Sequence, residues 1–152
     1  MSLQVASPVA GEAVALANVP DPVFAQEIVG TGLAVQPAVS ARIRVVSPFS
    51  GTVVALHPHA FVVRADSGQA VLVHVGIDTV ELGGRGFEVL VGKGDRVESG
   101  EPVIFWDPSA AAETGLSTVV PVIVLEPAGA SVSPSVGPGT PVVAGAPLLR
   151  ID

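Results

Sequence analysis

The chain has 152 residues, a formal net charge of −7 and a hydrophobic fraction of 49%, with only 4% aromatic residues and no cysteine. This length predicts one domain with a single core built mainly from Val, Ala, Leu and Ile, and a valine-rich core favours β structure. The acidic balance excludes a surface that neutralises the phosphates of nucleic acid or of an anionic bilayer, and the lack of cysteine excludes disulfides and cysteine-ligated metals.

Two pairs of segments repeat each other along the chain. Residues 7–16 recur as 47–56, with Ser, Pro, Gly, Val, Ala and Leu in register, and residues 91–102 recur as 136–147. In each repeat, short apolar runs are punctuated by Gly or Pro at turn positions, a pattern typical of short strands joined by tight turns. We therefore predict an all-β fold, a compact antiparallel β-sandwich or partly closed barrel made of two related halves with one or two short helices.

A hairpin is predicted over residues 60–74, with a four-residue turn at 66–69. If the strands pair so that His74 lies opposite Phe61, then His59, two residues before Phe61, points to the same side. The imidazoles of His59 and His74 are then diagonal neighbours on one face of the hairpin. A slip of the register by one residue would separate them.

The strongest helix signal is short and lies after the hairpin. Asp107 is a suitable N-cap, Pro108 suits the first helical position, residues 109–113 are good helix formers, and Gly115 follows the end.

Neither end of the chain carries a recognisable export or membrane signal. The first five residues lack the basic region of a secretory signal, which favours a cytoplasmic location. The uncharged stretch 127–149 contains five prolines and four glycines, so it does not form a regular spanning helix. We expect no direct membrane insertion, and if this protein serves a membrane process, the spanning part must be another chain.

The three histidines, His57, His59 and His74, are the best candidates for chemistry. Imidazole is a nucleophile, acid, base and metal ligand near neutral pH. A histidine in an apolar run is most often a semi-buried residue with a satisfied hydrogen bond, but a converging pair is less ordinary. Two imidazoles in a shallow apolar depression of the surface suit phosphoryl transfer, in which one ring nitrogen attacks phosphorus and the other ring donates a hydrogen bond to the phosphoryl oxygens.

Other site chemistries fit the sequence less well. As an alternative, the histidine pair would form half of a zinc site, and His57, Asp78 or Glu81 would have to supply a further ligand. No Gly-x-Ser-x-Gly elbow indicates a serine hydrolase. A carbohydrate-binding sandwich is disfavoured because Trp106 is the only tryptophan and the chain has no tyrosine to stack on sugar rings.

Residues 73–82, Val-His-Val-Gly-Ile-Asp-Thr-Val-Glu-Leu, together with 59–61 and 20–32, resemble the glucose-type enzyme IIA of the bacterial phosphoenolpyruvate-dependent sugar phosphotransferase system. Further agreement lies in 86–87, 93–97 and 117–122. The resemblance covers nearly the whole chain and makes residues 1–152 a single enzyme IIA-type domain.

The resemblance implies a phosphotransferase component that carries a transient phosphohistidine. The phosphocarrier HPr would phosphorylate His74 at Nε2, and the group would pass to a cysteine of an enzyme IIB domain in a glucose- or N-acetylglucosamine-type IIB/IIC permease. His59 would be the supporting imidazole. Asp78 and Glu81 would border the site, or else are solvated loop carboxylates. An alternative function is a regulatory module whose docking on permeases or metabolic enzymes is switched by His74 phosphorylation.

The resemblance also suggests how partners dock. Val23, Phe24 and Val80 correspond to an apolar rim against which partners pack, with core packing as the alternative. His57 stands where members of the family have a small hydroxyl residue, and it either adds to the phosphoryl environment or is a surface residue. No intrinsic cofactor is expected, although a zinc ion bridging His59, His74 and a partner's carboxylate is an option at an interface.

Overall fold

The computed structural model of the protein describes residues 2–38, 42–125 and 130–152. Its strands are β1 (Leu3–Ala6), β2 (Gly11–Val14), β3 (Gly30–Pro37), β4 (Ile43–Val46), β5 (Gly51–His57), β6 (Ala60–Arg64), β7 (Ala70–His74), β8 (Phe87–Val89), β9 (Arg96–Val97), β10 (Pro102–Trp106), β11 (Val120–Leu125), β12 (Val132–Pro134), β13 (Pro141–Val142) and β14 (Pro147–Ile151). The helices are α1 (Pro22–Ala25) and α2 (Ser109–Glu113), and short 3₁₀ helices lie at Leu16–Asn18 and Thr79–Leu82.

The strands form one long antiparallel sheet and two short ones. The long sheet has the order β13-β2-β3-β11-β7-β6-β5-β9, and the short sheets have the orders β1-β14-β12 and β4-β10-β8. Buried side chains from all three sheets pack into one core, for example Val5, Val45, Val122 and Leu149. The predicted all-β antiparallel architecture with short helices is confirmed.

The first repeat forms two buried loops that bond to each other. Each loop contains a fully buried serine, Ser7 or Ser47, whose hydroxyl donates to the main-chain carbonyl two residues ahead at 2.7 Å. The loops also exchange main-chain bonds of 2.9 Å, from Ala6 N–H to the Pro48 carbonyl and from Val46 N–H to the Pro8 carbonyl. The repeated sequence therefore produces two equivalent structures that hold the halves together.

The second repeat supplies the turns that complete each half. Ala13 accepts a bond of 2.7 Å from the N–H of Gly139, and Val53 accepts the equivalent bond of 2.7 Å from the N–H of Gly94. Both glycines adopt left-handed backbone angles, with φ of 91° and 93°. The predicted internal duplication is thus present in the hydrogen bonds as well as in the sequence.

The β6–β7 hairpin forms, but its predicted register is wrong by one residue. His74 lies opposite Ala60, and Phe61 lies opposite Val73. Phe61 and Val73 consequently face the core, where both are almost fully buried.

The length of the turn explains the shift. Ala65 N–H donates to the Gln69 carbonyl at 2.8 Å, and Gly68 N–H donates to the Ala65 carbonyl at 2.9 Å. Gly68 has a φ of 97°, so the loop is the three-residue type in which a type I turn is followed by a left-handed glycine. The prediction assumed a loop of four residues, and one residue fewer moves every cross-strand pair by one.

The predicted short helix is present as α2. The Asp107 carboxylate accepts a hydrogen bond of 3.0 Å from Ser109 N–H, and this bond holds the pKa of Asp107 below its usual value. Pro108 already has helical angles of −75° and −4°, although the helix is assigned only from Ser109. Asp107 thus bonds to the start of the helix as predicted, but the N-cap is Pro108, one residue later than the sequence indicated.

No helix among the residues that the structure describes is long and apolar enough to span a membrane. Of the uncharged stretch 127–149, residues 127–129 lie outside the described part of the chain. The remainder forms β12, β13 and the beginning of β14 instead of a helix.

Replacement of Ser7 or Ser47 by Ala is expected to lower the free energy of unfolding by about 1–3 kcal/mol, because a buried carbonyl loses its hydroxyl donor. The two losses should be similar, since the two loops make the same bond. Urea unfolding measures both, with Ser99→Ala in an exposed turn as the control, expected to stay within about 0.5 kcal/mol of the native protein. A buried-serine variant as stable as the control would contradict the role of these bonds.

Candidate functional site

His74 is the last residue of β7, and its ring is fixed by the turn that follows. Nδ1 of His74 lies 2.6 Å from the carbonyl oxygen of Gly76. Because a carbonyl only accepts hydrogen bonds, Nδ1 carries the proton, and the lone pair of the neutral ring is on Nε2. The hydrogen bond therefore selects the tautomer in which Nε2 is a nucleophile.

The turn from Gly76 to Thr79 has a sequence that holds this carbonyl in place. Gly76 has a φ of 82°, and a Cβ atom there would lie 2.5 Å from Cγ2 of Thr79, so a side chain is excluded on two grounds. The Thr79 hydroxyl, fully buried, donates to the Val75 carbonyl at 2.7 Å. Ile77 N–H donates to the Ser117 carbonyl at 3.0 Å and ties the turn to a neighbouring segment.

His59 reaches His74 despite the shifted register. The ring centroids of His59 and His74 are 5.2 Å apart and the ring planes are nearly perpendicular, at 75°. His59 belongs to the two-residue turn between β5 and β6, where the alternation of side chains along a strand no longer applies. Its carbonyl accepts a bond of 2.7 Å from Val75 N–H, which anchors the turn beside His74.

Helix α1 brings an aromatic ring against the other side of the site. The centroid of Phe24 lies 5.1 Å from that of His74, with the planes tilted by 56°. The Asp21 carboxylate accepts a hydrogen bond of 2.9 Å from Val23 N–H and begins the helix, with Pro22 at its first position. Phe24 thus restricts the orientation of the His74 ring.

The residues assigned to a docking rim differ in exposure. Val23 is 43% exposed and Val80 is 61% exposed, and they lie on the two short helices that flank His74. Phe24 is only 7% exposed and belongs to a buried cluster, so it packs under the site and contributes little of its surface. Glu81 is exposed on the same 3₁₀ helix as Val80.

Burial keeps both central imidazoles uncharged at neutral pH. It lowers the pKa of His74. This effect is only partly opposed by the Gly76 carbonyl and by the charges of Asp21 and Asp78, which act to raise the same pKa. Burial also lowers the pKa of His59, and the charges of His74 and His57 act in the same direction. A neutral imidazole is the form that attacks an electrophile, so the environment favours a nucleophilic His74.

His57 is the last residue of β5 and is exposed. Its ring centroid lies 5.8 Å from that of His59, whose ring in turn neighbours that of His74, so the three imidazoles lie close together. Within residues 2–38, 42–125 and 130–152, no group of three or more His, Cys, Asp or Glu side chains is arranged to hold a metal ion.

Several residues that shape the site were missed by sequence reasoning, namely Asp21, Gly76, Thr79 and Ser117. An Asp followed directly by Pro is a helix-start signal, and it could have identified Asp21. A glycine directly after an apolar strand indicates a turn and could have identified Gly76. Thr79 and Ser117 carry no signal of their own, because their roles depend on contacts made only in the folded chain.

Comparisons with known proteins agree on one family. A sequence model described as phosphoenolpyruvate-dependent sugar phosphotransferase system, EIIA 1, matches residues 3–130. The chain is 41% identical over 120 residues to the PTS system glucose-specific EIIA component of Staphylococcus aureus, covering 78% of this chain and 70% of that protein. It is 40% identical over 124 residues to the PTS system glucose-specific EIIBCA component of Corynebacterium glutamicum, covering 80% of this chain but only 18% of that protein's length.

A solved structure gives the same result for the fold. The glucose permease IIA from Mycoplasma capricolum superposes with a TM-score of 0.86 at 28% sequence identity. The match covers 99% of this chain and 96% of that one. The similarity therefore includes the sheets, the helices and the segments that bring the histidines together.

The lowered pKa values predict that acid destabilises this protein. As the pH falls past the ordinary histidine pKa of about 6.5, the unfolded chain takes up protons before the folded chain does. The stability that His59 and His74 contribute is thus complete above that pH and is lost below it. Urea midpoints measured in EDTA between pH 7.5 and 5.5 should fall for the native protein and fall less for His74→Gln. Equal declines would contradict the buried neutral state of His74.

Proposed function

The chain belongs to the EIIA 1 family of the phosphoenolpyruvate-dependent sugar phosphotransferase system, and on that premise we propose that it is a phosphoryl carrier in which Nε2 of His74 accepts the phosphoryl group. The observation that supports this assignment is the hydrogen bond of 2.6 Å between Nδ1 of His74 and the Gly76 carbonyl. It leaves Nε2 as the unprotonated ring nitrogen, in a ring that burial keeps neutral.

The transfer proceeds in two displacements on phosphorus. The Nε2 lone pair of His74 attacks the phosphoryl group of phosphorylated HPr, the N–P bond forms, and the bond to the HPr atom breaks with its electron pair returning to HPr. A cysteine thiolate of an enzyme IIB domain then attacks the same phosphorus, and the electron pair of the N–P bond returns to Nε2. The proton stays on Nδ1, hydrogen-bonded to the Gly76 carbonyl, throughout the transfer, so the ring ends in its starting tautomer.

His59 stabilises the phosphoryl group by donating a hydrogen bond to one of its oxygens. Its ring lies 5.2 Å from that of His74, centroid to centroid, within reach of a group attached to the neighbouring ring. Hydrogen bonds to charged oxygens are stronger than neutral ones, and the apolar surroundings supplied by Phe24 strengthen them further. The hydrogen bond from His59 should therefore stabilise the group most during the transfer step, when the negative charge on the phosphoryl oxygens changes.

The family suggests the partners on both sides of the carrier. In the Corynebacterium glutamicum relatives, the name EIIBCA joins an EIIA part to EIIB and EIIC in one component. By analogy, this chain receives its group from HPr and passes it, in the cytoplasm, to a IIB/IIC permease of the glucose or N-acetylglucosamine type. The exposed Val23 and Val80 supply apolar docking contacts beside His74. A zinc ion, where a partner adds a carboxylate, would take His59 and His74 as ligands at that interface.

Two histidine variants separate acceptance of the phosphoryl group from its onward transfer. Incubation with phosphoenolpyruvate, enzyme I and HPr should give the native protein an acid-labile, alkali-stable phosphoryl label, and His74→Gln should give none. His59→Ala, which has no donor, should accept the label but pass it to a IIB domain about 10- to 100-fold more slowly, the loss expected for a hydrogen bond to a charged group.

Ser99→Ala, in the exposed turn between β9 and β10, serves as the control and should behave as the native protein does. A His74→Gln protein that still labels would disprove the assignment of the acceptor. A His59→Ala protein that transfers at the native rate would remove His59 from the mechanism.

A further inference from the structure

His57 lies in the same cross-strand row as His74. His57 pairs with Ala60, and Ala60 pairs with His74 on its other side. Residues directly opposite each other in antiparallel strands project from the same face, so all three side chains lie on one face across β5, β6 and β7. The methyl group of Ala60 leaves space between the two imidazoles.

A β-bulge in β5 is what places His57 on this face. Val53 pairs with Val63, but Ala55 pairs with Val62, so Val54 is an extra residue in the strand. Val53 is fully buried in the core, and strict alternation from it would also turn His57 towards the core. The extra residue reverses the alternation and leaves His57 exposed, which is the re-aiming of a side chain that bulges provide beside functional sites.

The ring of His59 is a close neighbour of both other imidazoles. Its centroid is 5.8 Å from that of His57, with the planes tilted by 34°, and 5.2 Å from that of His74. The three rings therefore form one group of neighbouring imidazoles, with His57 at the exposed end of β5.

We propose that His57 is a second hydrogen-bond donor to the phosphoryl group on His74, acting beside His59. The proposal rests on the proposed function. A phosphoryl group on Nε2 adds three terminal oxygens, whereas a neutral imidazole has a single N–H to donate, so His59 satisfies only one of them. His57 is the remaining imidazole donor in this group, on the same sheet face as His74 and exposed to solvent.

A role of His57 in the reaction has a different kinetic effect from a role in docking alone. A group that binds the oxygens during transfer changes the rate of the chemical step, whereas a group that only contacts a partner changes the concentration needed for half-maximal rate. The two roles are distinguishable in one set of kinetic measurements.

The test compares His57→Ala, which has no donor, with His57→Gln, which keeps an amide N–H. Phosphorylated protein is mixed with the EIIB part of the Corynebacterium glutamicum EIIBCA component, and the dependence of the transfer rate on EIIB concentration gives kcat and KM. We expect His57→Ala to lower kcat about tenfold with KM within about twofold of native, and His57→Gln to restore kcat to within about threefold. The ³¹P chemical shift of the phosphohistidine should move in His57→Ala.

Thr52→Ala, on the outer face of the same strand before the bulge, is the matched control and should leave kcat, KM and the ³¹P shift unchanged. Thermal unfolding of each variant verifies that it is folded. A native kcat and ³¹P shift in His57→Ala, or a rise in KM alone, would overturn the role of His57 while His74→Gln still fails to label. Labelling of His74→Gln would instead overturn the proposed function itself.

Discussion

The hydrogen bond between Nδ1 of His74 and the Gly76 carbonyl decides what this site can do. It fixes the orientation of the ring and leaves the lone pair on Nε2, at the edge that faces away from the turn. The bond exists because Gly76 adopts a left-handed conformation that turns its carbonyl back towards the strand. The buried Thr79 hydroxyl holds the same turn by bonding to the Val75 carbonyl. A short stretch of sequence after β7 therefore determines the chemistry of the residue that ends it.

The rest of the fold supplies the surroundings of that bond. Main-chain hydrogen bonds link the turn to His59 on one side and to Ser117 on the other, so segments distant in sequence are held at fixed positions. The site also balances opposing electrostatic effects. Burial favours the neutral imidazole needed for attack, and the nearby Asp21 and Asp78 moderate that effect. Because the phosphoryl group is anionic, hydrogen-bond donors from neighbouring imidazoles then become the favourable contacts.

Much of this architecture was predictable from the sequence, since it depends on local patterns. Alternating apolar runs, turn residues and repeated segments predicted the antiparallel β fold and its duplication, and residues 73–82 indicated the family. The register of the hairpin was not predictable, because one left-handed residue, Gly68, shortens the loop and shifts every pair. The bulge at Val54 was not predictable either, because an extra residue in a strand leaves no distinct signal in a run of Val and Ala. His59 and His74 were correctly predicted to be neighbours, but for the wrong reason. The prediction relied on an incorrect strand register, whereas His59 reaches His74 from the turn between β5 and β6.

NMR of the phosphorylated protein, labelled with ¹⁵N in histidine, tests most directly which nitrogen atom carries the phosphoryl group. A ³¹P–¹⁵N coupling identifies the phosphorylated nitrogen, and the ¹⁵N–¹H correlation identifies the nitrogen that keeps its proton. The account predicts phosphorus on Nε2 of His74 and a retained proton on Nδ1, shifted by its strong hydrogen bond. Phosphorus on Nδ1 of His74, or on His59 or His57, would contradict it.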